Sequence, residues 1–231
     1  VSALGRDVLR AMSVPGPWIL LALEVVFAVM VSLSTAFLHL DPSPSLALGF
    51  VPALAGLFGA LTGGADARFG SLAGEVLTLG GPVRYTLRML RVTFGLGLVG
   101  GAVGGVLTAA TWWATLDVAP PAGRLTTLVL ASAVAAGSWA LLGAALAIVT
   151  QAQIGAVAVV LGYLMVLEPI LELTMTGFVG LYPGHLAVEL LTVSGPAALA
   201  TPAARLIAVV AVVAGLACTL ARYRPVPVTA T

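Results

Sequence analysis

Residues 63–91, GGADARFGSLAGEVLTLGGPVRYTLRMLR, place Asp66, Arg68, Glu75, Arg84, Arg88 and Arg91 between two long apolar runs. The chain has 231 residues, of which 60% are hydrophobic and 8% charged, whereas soluble domains carry about a quarter charged. Such a local gathering of charge marks a segment held in water between segments that are not. The flanking runs are long enough to cross a bilayer, which takes about 20 predominantly apolar residues per helix. Short strands of alternating polarity, the signature of a membrane β-barrel, are absent. The expected fold is an all-α membrane protein forming a single transmembrane domain over 1–231.

Working outward, six spans are expected, at 18–38, 46–62, 92–114, 126–149, 154–173 and 203–221. Ahead of them, residues 1–16 put Leu4, Val8 and Met12 at helical spacing away from Arg6, Asp7 and Arg10, which predicts an N-terminal interfacial helix. The run after Pro17 is longer than the apolar core of a signal peptide, so it is expected to stay as an anchor. Residues 175–202 are apolar but interrupted by Gly177, Gly180, Pro183, Gly184, Gly195 and Pro196. They predict a re-entrant helical segment between spans five and six, because non-helical backbone at that depth must be packed in protein.

Six spans put both termini on one side. Arg6, Arg10, Arg68, Arg84, Arg88, Arg91, Arg222 and Arg224 fall there, against Arg124 and Arg205 opposite. The positive-inside rule makes the arginine-rich side cytoplasmic. All basic residues are arginine, and neither Lys nor Asn occurs, which fits a GC-rich, bacterial genome and predicts a bacterial plasma membrane. A chain without Lys has no Walker A loop of its own. A net charge of +1 gives no case for nucleic acid, whose binding rests on clustered positive charge. Cys218 is alone and reads as a small buried hydrophobe.

Flanking arginines would by themselves set topology, but the 63–91 connection is far longer than TQAQ at 150–153, the other cytoplasmic link. Within it Leu72, Val76 and Leu79 recur at i, i+4 and i+7 beside Ser71, Glu75 and Thr78, an amphipathic helix on the cytoplasmic side. Asp66, Arg68, Gly70, Ser71 and Leu72, followed by Pro82, Arg84 and Arg91, resemble the pattern after the second span of ABC-2 type transporter permeases. There an acid, a basic residue and Gly-Thr-Leu precede a leucine-rich helix, then Pro-x-Arg and a basic residue opening span three. The departures are Asp66 for Glu, Ser71 for Thr and Arg91 for Lys, the last altering hydrogen-bond geometry. The resemblance extends loosely over nearly the whole chain, including LYPGHLAVELL after span five. It implies a permease subunit of an ATP-binding cassette exporter, paired with a second permease, identical or related. It also implies two separate ATPase subunits that bind ATP and Mg, leaving this chain without a cofactor. Coupling would run through Asp66, Arg68, Gly70, Ser71, Leu72, Glu75, Val76, Leu79, Pro82 and Arg84, and the cargo would be hydrophobic or amphipathic.

Other residues invite function less directly. Gly97, Gly101 and Gly105 form a close-packing face on span three, within the chain or between subunits. Glu24, Glu168, Glu172, His185 and Glu189 are the pathway or gate candidates, since ionisable groups in a membrane are costly. Glu24 reads first as a structural partner for an arginine of the loop and His185 as the interfacial partner of Glu189 one turn on, while Glu168 and Glu172 read equally as an outer-interface pair. Trp139, mid-span, reads as packing, and the other tryptophans as interface anchors. The competing function is an ion-coupled carrier using Glu24 or Glu168 and Glu172. An intramembrane enzyme fits less well: AGSWA lacks the last glycine of a Gly-x-Ser-Gly motif, His39 and His185 are not mid-span, and no His-Glu-x-x-His or other metal-ligand spacing occurs.

Overall fold

A computed structural model describes residues 48–68, 71–116, 122–193 and 195–223, with isolated positions between 19 and 34. Every regular element among them is helical. In chain order they are α1 (Val51–Arg68), α2 (Leu72–Thr78), α3 (Pro82–Leu116), α4 (Ala122–Thr150) and α5 (Gln153–Thr174). A 3-10 turn (Thr176–Leu181), α6 (Pro183–Thr192) and α7 (Pro196–Tyr223) follow.

Among the described residues, four helices are long and apolar enough to cross a membrane: α3 over Pro82–Thr111, α4, α5 and α7. This is a membrane protein by the length and composition of its helices. The expected second span is α1, whose 18 residues end on the polar GGADAR and are not apolar enough to count with the other four. The expected interfacial helix and most of the first span lie outside the described residues, although Phe27 stacks on Phe50 with ring centroids 4.7 Å apart.

The centre of the bundle is α4, with 67% of its apolar window buried against 17% for α5 and 22% for α7. Small residues on two of its faces make this possible. On one side Gly56, Gly59 and Gly63 of α1 lie against Trp139, Ala140 and Ala144. On the other, Gly97, Gly101 and Gly105 of α3 lie against Ala140, Ala136 and Ser132. The glycine face read from the sequence therefore packs within the chain. Larger side chains fill the space where α6 and α7 reach α4, with Trp139, Leu142, Leu186, Leu190, Leu206 and Val210 in one buried cluster.

Three boundaries differ from the sequence reading, each for a physical reason. The 63–91 connection shrinks to 69–81, because α1 continues to Arg68 and α3 begins at Pro82. Hydropathy reports where hydrocarbon ends, not where a helix does, and proline is at home in the first helical position. The interrupted segment ends at Gly195 rather than at 202, since α7 starts at Pro196 and carries Pro202 within its second turn. Membrane helices tolerate such a proline where neighbours re-satisfy the backbone. In α5 the turn Tyr163–Leu167 is π-helical. Pro169 has no N–H and its ring would strike the Met165 carbonyl, so the wider turn relieves that clash without breaking the helix.

Candidate functional site

The first site is the end of the bundle where α2 sits. Ser71 precedes α2; its N–H donates to the Asp66 carbonyl at 3.0 Å and its hydroxyl to Asp66 Oδ1 at 2.8 Å. The other carboxylate oxygen, Oδ2, accepts from the Tyr85 hydroxyl at 3.0 Å. Asp66 is only 5% exposed, so this carboxylate knots the end of α1, the start of α2 and the second turn of α3. Tyr85 is not singled out by the sequence, where it stands between Arg84 and Thr86 with no local mark of its partner.

The far end of α2 is closed by GGP. Gly80 takes φ +73° and Gly81 φ +134°. Gly80 N–H donates to the Leu77 carbonyl at 3.2 Å and Gly81 N–H to Val76 at 2.9 Å, the paired bonds of a Schellman ending, which requires a left-handed residue that glycine supplies freely. Pro82 then opens α3. The helix thus turns Val76 inward, with Leu72 and Leu79 half-buried, while Gly74 and Thr78 face outward and Leu77 is 80% exposed. The expected apolar face is the one that packs. The side chain of Arg68 and all of Gly70 lie outside the described residues; Glu75 is half-buried and Arg84 exposed.

Beneath α2 is a cavity of about 40 Å³. Its walls include Leu72, Val76, Tyr85 and Thr86, Ile148 at the end of α4 and Leu220 near the end of α7. Thr86 Oγ1 is buried there without a hydrogen-bond partner among the described residues. The start of α3 and the ends of α4 and α7 therefore meet at one end of the molecule, under the short helix. Replacing Tyr85 with Phe removes one of the two hydroxyls on Asp66 and is expected to cost about 1–3 kcal/mol. The measurable outcomes are a lower thermal midpoint in detergent and faster protease cleavage within 69–81.

The second site lies where α5 meets α6. Glu168, only 4% exposed, accepts the N–H of Gly184 at 3.1 Å and that of His185 at 2.6 Å. Trp139, also buried, donates its indole N–H to the Pro183 carbonyl at 3.3 Å and packs near Tyr163, with centroids 6.3 Å apart. The Tyr182 hydroxyl reaches the carbonyls of Met175 and Leu171 at 3.2 and 3.4 Å. His185 Nδ1 pairs with Glu172 at 3.2 Å, their side chains 41% and 38% exposed. The structure therefore gives His185 a partner on α5 instead of Glu189, which stays half-buried one turn further along α6.

Chemically the two ends differ. Glu168 has both oxygens committed to backbone donors, so it fastens α6 to α5. No group of three His, Cys, Asp or Glu suited to a metal occurs among the described residues. Glu24 lies outside them. Compared with known proteins, the chain matches no family model and no curated protein.

Proposed function

We propose that this chain is the membrane-spanning subunit of an ABC-2 type exporter in a bacterial plasma membrane. On this reading α2 is the coupling helix that seats on a separate ATPase. A second permease, identical or related, completes the pathway, and two ATPase subunits supply ATP hydrolysis with Mg. The single observation that supports it is the Asp66 knot. A seven-residue helix with one face turned out to water moves as part of α1 and α3 only if it is tied to both, and Asp66 ties it through Ser71 and Tyr85.

Charge placement agrees. Arg84, Arg88 and Arg91 open α3, and Arg222 closes α7 beside the cavity-lining Leu220 and Ala221. All four thus stand at the α2 end, whereas Arg124 opens α4 from the opposite end. The positive-inside rule puts α2 in the cytoplasm. The competing carrier reading has less to stand on, since Glu168 is occupied as a fastening. The cargo is a hydrophobic or amphipathic molecule, in keeping with so apolar a chain.

The test uses Leu77, whose exposure lets it change without disturbing the fold. Purified from its native membrane, the chain is expected to bring an ATP-hydrolysing subunit with it. Leu77→Glu should lose that subunit at least tenfold, and Val76→Pro should break the coupling helix itself. An ATPase that stays bound to both variants with full activity would end the reading.

A further inference from the structure

Two observations meet in the cavity beneath α2. Thr86, in the second turn of α3, lines it, is only 1% exposed, and carries a hydroxyl with no hydrogen-bond partner among the described residues. Buried polar side chains in folded proteins are nearly always paired, with protein or with ordered water. A helical threonine can turn its hydroxyl to the carbonyl four residues back, as Thr127 does to Gly123 at 2.8 Å. Thr86 makes no such bond.

Another wall of the cavity is the carbonyl end of α4. The last carbonyls of a helix have no N–H four residues further along the same helix to receive. Gln151 N–H still reaches back to the Ala147 carbonyl at 2.9 Å, but Gln151 takes φ +53°, a left-handed conformation uncommon outside glycine. The chain turns away there, and Ala152 N–H donates to the Thr150 hydroxyl at 3.4 Å in place of the Ile148 carbonyl. Ile148 lines the cavity, and so does Gln151, whose side-chain amide both donates and accepts. Helix carbonyls point toward the C-terminal end, which is the end of α4 that borders the cavity.

Volume narrows what fits. About 40 Å³ accommodates one water, whose share of liquid volume is about 30 Å³. A methyl-sized apolar occupant would fill the space and leave the Thr86 hydroxyl unpaired. A cation would need a carboxylate, and the one nearby, Asp66, is engaged by the Ser71 and Tyr85 hydroxyls. Water alone satisfies a hydroxyl on one side and a carbonyl on the other.

We propose that an ordered water occupies this cavity, accepting a hydrogen bond from the Thr86 hydroxyl and donating one to the Ile148 carbonyl, and so joins α3 to the end of α4 beneath α2. A bridging water of this kind is nearly as favourable as a direct hydrogen bond. The site does not depend on the exporter reading, and its test involves no ATPase.

The test is NMR of the full chain in detergent, with labelled methyl groups on isoleucine, valine and threonine, read for direct cross-relaxation with water. Val76 and Ile148 both line the cavity, and their methyl groups are expected to show transfer from a long-lived water. Thr86→Ser keeps the hydroxyl and should keep the signal. Thr86→Val keeps the shape, should lose the signal, and should lower the thermal midpoint by about 2–4 °C, the size of one hydrogen bond. Thr93→Val is the control, because the Thr93 hydroxyl is as buried and as unpartnered among the described residues but Thr93 is not part of the cavity wall. Replacing it should leave the midpoint unchanged or raise it. Absence of a water signal at Val76 and Ile148 in the unaltered protein overturns the proposal. So does a signal that survives Thr86→Val, or a midpoint that rises in Thr86→Val as it does in Thr93→Val. The unaltered protein carries the first reading, so the proposal can fail even where Thr86→Val does not fold.

Discussion

Gly59→Val is expected to unfold the contact between α1 and α4 and lower the thermal midpoint of the detergent-solubilised protein by about 10 °C or more. A Cβ at Gly59 would land on the Ala140 carbonyl oxygen, with Ala140 C at 2.6 Å and Cα at 2.9 Å. The same contact seen from the other side puts a Cβ at Gly143 onto the Gly56 carbonyl, with Ala60 N at 2.8 Å. These neighbours are backbone, so no side chain can swing aside; the helix axes must separate. Overpacking a core commonly costs 1–3 kcal/mol, and a forced separation along a whole interface lies at or above the upper end, about 3 kcal/mol. At up to about 4 °C per kcal/mol for a domain of this size, a cost at or above that end reaches the stated shift. Gly215→Ala is the control, since a Cβ there meets nothing within 4 Å. In a helix that exchange should stabilise by about 0.4–1 kcal/mol. Equal midpoints for the two variants would mean that α1 and α4 do not meet backbone to backbone.

The sequence made some of this legible and left the rest dark. Gly97, Gly101 and Gly105 could be read as a packing face from spacing alone, because helical periodicity puts every fourth residue on one side. The partner helix could not, since any helix with alanines would serve; α4 is chosen by the fold. The matching face of α1, Gly56, Gly59 and Gly63, is spaced by three and four residues in a run with other small residues, and nothing local says that it meets α4. The amphipathic helix at 72–78 was legible because the order Leu72, Val76, Leu79 is local, whereas the helix start at Pro82 was not, because Arg84, Arg88 and Arg91 made the first turns of α3 resemble a loop. Tyr85 was invisible as a partner of Asp66, being 19 residues away in sequence, and only the antiparallel return of α3 joins them. The same holds at the other end, where His185 was matched to the acid one turn along its own helix and the structure matched it to Glu172 across the gap. Local periodicity is written in the chain, whereas pairings between helices depend on the angle at which the helices meet.

Glu168→Ala is expected to destabilise the protein by about 3 kcal/mol, and the size follows from what α6 lacks. A helix begins with backbone N–H groups that have no partner inside it, and a Ser, Thr, Asp or Asn at the N-cap normally accepts one. Here the N-cap is Tyr182, whose side chain makes no such bond and turns instead to the carbonyls of Leu171 in α5 and of Met175 just beyond it. Pro183 at the first position has no N–H to satisfy. Gly184 and His185 follow at the next two, and both donate to Glu168 from a different helix. Removing the carboxyl group leaves both donors unpaired, one buried and one part-buried, each worth about 1–3 kcal/mol. Glu168→Gln keeps an acceptor oxygen and should cost less than half as much. Gly184→Ala offers the sharper check, because its Cβ would stand 2.6 Å from both carboxylate oxygens and push Glu168 off its donors. By itself it should approach the cost of Glu168→Ala. In the Glu168→Ala background it should cost almost nothing, since the space it needs is then empty and the bonds it breaks are already gone. Such non-additivity is the mark of residues sharing one interaction. Additive losses in the double variant, read from thermal midpoints, would show that Gly184 and Glu168 act separately and that α6 is held by its apolar face alone.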